Sequence, residues 1–89
     1  MNKRQAYNLG VASGEEAAKY GDFSAAELAD EDSFMEACSE ICSNKRQYAD
    51  SPTYEFNQYG DRADGLFDAF DEGETVGIRK GWRKRQKAK

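Results

Sequence analysis

At 89 residues the chain can form one small domain with a modest core and no more. It is 38% hydrophobic and 34% charged, with a mean hydropathy of −0.98, so its five Phe, five Tyr and one Trp must supply much of the buried area. Formal net charge is −4, there is no His, and no apolar run is long enough for a membrane span. Those facts exclude a His-based catalytic centre, a zinc site of His and Cys, and a spanning helix.

The start, MNKRQAYNLG, is charged and lacks the apolar core of a signal peptide, so a cytoplasmic location is expected. Residues 2–20 read as a helix in which Ala6, Gly10, Gly14 and Ala18 recur every fourth residue. Two glycines inside a helix cost roughly 1 kcal/mol each relative to alanine. Close approach of another backbone is the expected compensation. Gly21 then reads as a C-terminal cap.

Ser24 with Glu27 and Ser33 with Glu36 both have capping-box spacing. They predict a short helix over residues 25–29 and a longer one over 34–43. Phe34, Cys38, Ile41 and Cys42 would face inward on the second. The two cysteines read as small buried hydrophobes rather than ligands or a disulfide. Residues 44–50 are polar and read as a connection. Ser51-Pro52 reads as a helix entry, with Ser as cap and Pro in the first turn. Residues 53–59 are helical or, because Thr and aromatics suit a strand, extended. A break is expected at Gly60-Asp61, with Asp61 capping the final helix.

The final helix is the dominant element. Ala63, Leu66, Phe67 and Phe70 share a face that Gly73, Gly77 and Gly81 continue. The shared four-residue period predicts that the first and last helices touch through their glycines, within one chain or across a homodimer. The expected architecture is all-α: one domain over residues 1–89, a small bundle of about four helices with a long C-terminal helix. Residues 83–89 are expected to be a frayed basic tail.

Charge is divided unevenly. Residues 1–78 hold all 17 acids and 6 bases, giving −11, while the last eleven residues hold 7 bases and no acid, giving +7. The acids suit a basic groove on a nucleic-acid-binding protein, and the candidate partner-binding residues are Asp30, Glu31, Asp32, Asp68, Asp71 and Glu72. The alternative is DNA or RNA contact through Arg79, Lys80, Arg83, Lys84 and Arg85, with Trp82 near by. A third reading is a structural helical dimer. No calcium-loop order, phosphate loop or nucleophile elbow is present, so no catalytic residue, metal site or cofactor is assigned.

The segments FDAFDEGETVGIRKGWRKR and KRQAYNLGVASGEEAAKYG resemble parts of small accessory proteins of phages and other mobile elements, over roughly half of the chain. The resemblance assigns no residue a role. It implies a binding protein that inhibits a host enzyme, of the anti-CRISPR or anti-restriction type, acting in the host cytoplasm.

Overall fold

The computed structural model describes residues 1–45 and 53–87. The protein is a small all-α bundle with a long C-terminal helix. In chain order the elements are α1 (Lys3–Tyr20), α2 (Ala25–Ala29), α3 (Glu31–Lys45), a 3₁₀ helix (Tyr54–Arg62) and α4 (Ala63–Lys87). Of the connection expected over 44–50, Asn44 and Lys45 belong to α3, while 46–50, the Ser51-Pro52 entry and the last two residues lie outside the described residues. So the choice between helix and strand at 53–59 resolves to a 3₁₀ helix from Tyr54 onward.

Local chemistry sets most of the boundaries. Asn2 caps α1 in a reciprocal box with Gln5, each side chain meeting the other's backbone N–H at 2.8 Å. Ser24 and Glu27 form the expected box on α2. The box expected at Ser33 and Glu36 is displaced. Asp30 caps instead, its Oδ2 accepting from the Ser33 N–H at 2.9 Å and the Ser33 hydroxyl at 2.7 Å, so α3 begins at Glu31. Asp is as good a cap as Ser, and starting earlier pairs the Phe34 N–H with the Asp30 carbonyl at 2.9 Å. Gly60, at φ 58° and ψ −123°, makes the expected break before α4.

Gly21 caps α1, its N–H donating to the Ala17 carbonyl at 3.0 Å, but at φ −70° it is not left-handed. Space is what requires glycine there. A Cβ would lie 2.7 Å from Phe23 Cζ and 2.8 Å from Ile41 Cδ1.

The glycine seam is real and lies within one chain. A Cβ at Gly10 would sit 2.1 Å from the Phe70 carbonyl oxygen, one at Gly14 2.3 Å from that of Glu74, one at Gly73 2.1 Å from that of Tyr7, and one at Gly77 2.1 Å from that of Val11. The α-hydrogens that replace those Cβ atoms therefore point at carbonyl oxygens of the opposite helix. The geometry is an alternating ladder of weak Cα–H···O contacts. Gly73 meets Tyr7 and Gly77 meets Val11, so both numbers rise together and the two helices run parallel. Gly81 ends the seam against the Ala18 Cβ.

Side chains pack on either side of this backbone contact. One cluster joins Ala17, Ala18, Phe34, Cys38, Cys42 and Ile78, so α3 lies against the C-terminal halves of α1 and α4. The other joins Ala6, Phe56, Leu66 and Phe70, where Phe56 meets the rings of Phe67 and Phe70 edge-on at 5.1 and 5.8 Å. The four inward positions expected on α3 hold: three are buried, and Ile41 packs against them.

Where α4 was expected to end in a frayed tail from residue 83, residues 83–87 are helical and two of them tie back to the body. Arg85 donates from Nε to the Ala18 carbonyl at 2.6 Å and from Nη2 to those of Lys19 and Gly21 at 3.0 and 3.3 Å. Gln86 Nε2 donates to the Leu28 carbonyl at 2.8 Å. The ends of α1 and α2 thus take their missing donors from α4.

Candidate functional surfaces

The six acids singled out from the sequence form two separate groups. Asp68, Asp71 and Glu72 are exposed on α4 and, with exposed Asp64, make a row of carboxylates at about one-turn intervals. Among the described residues Asp64, Asp68 and Glu72 have no ion-pair partner within the chain. The row lies on a helix whose opposite side is fixed by the glycine seam and by the Phe56 cluster. The backbone that carries these carboxylates is therefore held before any partner arrives.

Asp30, Glu31 and Asp32 lie at the α2–α3 junction, at the level of the basic half of α4. The bonds from Ser33 hold the Asp30 carboxyl below the usual carboxylate range. Glu31 Oε1 lies 3.6 Å from Arg79 Nε. Two of the three are thus engaged locally, and only Asp32 projects from this group without such a partner among the described residues. Nearness in sequence does not place acids on one face when a helix boundary falls between them.

The basic residues divide as well. Arg79, Lys80, Arg83 and Lys84 are exposed, but Arg85 turns inward, its guanidinium 5.1 Å from the Phe23 ring centre while it caps α1. Trp82 packs against the core cluster of Phe34 and Ile78, which removes much of its ring from solvent. No feature of residues 79–87 taken alone reveals the partners of Arg85, which lie more than sixty positions earlier in the chain.

Two concave features accompany these surfaces. An open groove of about 670 Å³ runs along the ends of α1 and α4, lined by Glu15, Glu16, Lys19, Tyr20, Lys84 and Arg85. Its charges are mixed, and Tyr20 is 72% exposed there. A smaller cavity of about 210 Å³ lies between α3 and α4, beside Cys42, Asp71 and Glu74. Glu74 is buried and accepts from the Ser13 hydroxyl at 3.3 Å.

Cys42 is not a nucleophile at neutral pH. Burial, and then the hydrogen bond and charge of Glu74, push its thiol up to about 12. Burial pushes Cys38 up to about 11. Both are free thiols. In the folded protein, alkylation at pH 8 should therefore be slow and should follow the population of unfolded chains. Above about pH 8.5, where ordinary thiols ionise, the unfolded state loses protons that the folded state keeps, so stability should fall with rising pH until the folded thiols also titrate. Alkylation rates and denaturant midpoints between pH 7 and pH 10 test this. Fast labelling without unfolding at pH 8 would contradict it.

Among the described residues no helix is long and apolar enough to cross a membrane, and no three His, Cys, Asp or Glu side chains converge on a common metal position. No family model, no curated protein and no solved structure matches this chain.

Proposed function

We propose that the protein is a non-enzymatic, phage-type binding protein that inhibits a host nucleic-acid-handling protein by laying the acidic row of α4 into its basic groove. The observation that carries this reading is the row itself: Asp64, Asp68 and Glu72 stand exposed at about one-turn intervals on a fixed helix. A basic groove that binds a phosphate backbone meets similarly spaced negative charge here. The row attracts such a groove over about a Debye length and speeds encounter more than it tightens the final complex. Asp32 is a lesser contributor, and Asp30 and Glu31 contribute chiefly to the fold.

The test is to capture a basic nucleic-acid enzyme from host lysate, purify it, and measure association rates and inhibition. Asp68→Lys with Glu72→Lys should slow association at low salt by about tenfold or more and release the enzyme's nucleic-acid binding. Asp30→Asn should leave the rate nearly unchanged. Unaltered association by the double variant would sink the acidic-row reading.

A second reading has a specific feature in its favour: Arg79, Lys80, Arg83 and Lys84 are exposed along the last turns of α4. Direct DNA or RNA binding that steepens with falling salt, and that Arg83→Glu with Lys84→Glu abolishes, would favour it. Charge variants are the right probe. A truncation after Ile78 would also remove Gly81 and the cap supplied by Arg85.

A further inference from the structure

The exposed face of α4 is complementary to itself. Take the midpoint between Thr75 and Val76. Glu72 and Arg79 lie at equal distances on either side of it, about 5 Å along the axis, and Asp68 and Arg83 do so at about 11 Å. All four side chains are exposed, and each pair joins an acid to a base. Helical rotation agrees with the axial spacing. At about 100° per residue, Asp68 and Arg83 fall about 30° to opposite sides of a common line, and Glu72 and Arg79 about 10°. A two-fold axis through that line brings Asp68 and Glu72 of one copy opposite Arg83 and Arg79 of the other.

We propose that α4 pairs antiparallel with α4 of a second copy across this axis, with the Asp68–Arg83 and Glu72–Arg79 pairs at the centre of the seam. The occupant of the face is a second copy because the chain itself carries the complementary charge in register. The two α4 macrodipoles are opposed in this arrangement, which favours it further. Glu31 already neutralises part of Arg79, so Asp68–Arg83 is the stronger central pair. The contact is isologous and closes at a dimer.

Exposed ion pairs are individually weak and screened by salt, so the dimer forms at high concentration and low ionic strength and dissociates in salt. This goes beyond the host-protein reading and is measured without any partner, so the two fail separately. If both hold, self-association covers the acidic row and competes with the host protein for it.

The experiment is sedimentation equilibrium of the full chain at low ionic strength and in about 1 M salt, where the Debye length is about 3 Å. The expected result is a dimer whose association weakens by about tenfold or more in high salt. Two charge-reversed chains are then compared: Asp68→Arg with Glu72→Arg, and Arg83→Asp with Arg79→Glu. Each alone should be monomeric at low salt, and an equimolar mixture should restore the dimer, because every central pair is again opposite in sign. A second pair of chains, Asp68→Arg and Arg83→Asp alone, leaves the Glu31 contact intact and should behave in the same way. A monomeric natural chain at low salt, a dimer indifferent to salt, or mixtures that stay monomeric would overturn the proposal.

Discussion

Gly77→Leu is expected to unfold the protein at ordinary temperatures, and even Gly77→Ala should be severely destabilising. The first atom added at Gly77 would lie 2.1 Å from the Val11 carbonyl oxygen and 2.9 Å from the Glu15 nitrogen. Both belong to helix backbone, which cannot turn aside as a side chain can. The helices would have to separate, which would also loosen the contacts of Gly10, Gly14 and Gly73. Overpacking typically costs about 1–3 kcal/mol, and a clash against backbone belongs at or above the top of that range. A chain this small has only about 5–15 kcal/mol to lose, and each kcal/mol lowers the melting temperature by about 4–8 °C.

Helix propensity alone would give the opposite sign, because alanine is better than glycine inside a helix by about 1 kcal/mol. Gly65 on the same helix provides the contrast. A Cβ there meets Lys3 Cε at 3.0 Å and Nζ at 3.6 Å, the far end of a flexible side chain. Gly65→Ala should therefore raise stability by about 0.5–1 kcal/mol while Gly77→Ala lowers it. Thermal melts of the two alanine variants test this directly. Stabilisation by both would mean that the helices do not approach through Gly77.

Arg85→Met should cost about 2–4 kcal/mol, an effect that nothing in the local sequence foretells. The substitution keeps the aliphatic stem against the body and removes the guanidinium. Lost with it are the three bonds to the carbonyls of Ala18, Lys19 and Gly21 and the contact with the Phe23 ring. Because α1 and α4 are parallel, their C-terminal ends lie together, and a cation there answers the negative end of the α1 dipole as well as its unpaired carbonyls. Arg85→Lys should recover only part of the loss, since an ammonium cannot reproduce the planar fork that reaches three carbonyls at once. Denaturant unfolding of the three proteins, with helicity followed in parallel, would check the order natural chain, Lys, Met. Equal stability of all three would contradict the capping role.

Much of the fold was legible because it depends on spacing. The period of four among Ala6, Gly10, Gly14 and Ala18, and again among Gly73, Gly77 and Gly81, predicted the close contact of α1 with α4. Spacing carries no direction, however, and only the register of Gly73 with Tyr7 and Gly77 with Val11 shows the pair to be parallel. At the start of α3 the spacing of Ser33 with Glu36 points to Ser33 as the cap. The structure uses Ser33 as donor to Asp30 rather than as the cap itself. Gly21 is the expected cap of α1, yet what requires glycine there is that Phe23 and Ile41 close over it, a tertiary fact with no local signature.

The candidate surface was half legible for related reasons. Asp68, Asp71 and Glu72 do share one exposed face, because their separations match the helical repeat. Asp30, Glu31 and Asp32 looked equally available, but a helix start falls among them and Arg79 reaches Glu31 from another element. Arg85 looked like one more cation of a solvated run. Its role depends on where the end of α1 lies in space.

The central claim is the parallel backbone ladder between α1 and α4 within one chain, and nuclear Overhauser contacts from glycine α-protons test it most directly. In a sample of labelled chains diluted with unlabelled chains, so that only contacts within a chain are seen, Gly73 should show cross-peaks to Tyr7 and Val11. Gly77 should show them to Val11 and Glu15. Cross-peaks that step backwards, with Gly77 meeting residues earlier in α1 than Gly73 does, would contradict the parallel register. Cross-peaks that vanish on dilution would show that the ladder joins two chains instead of one.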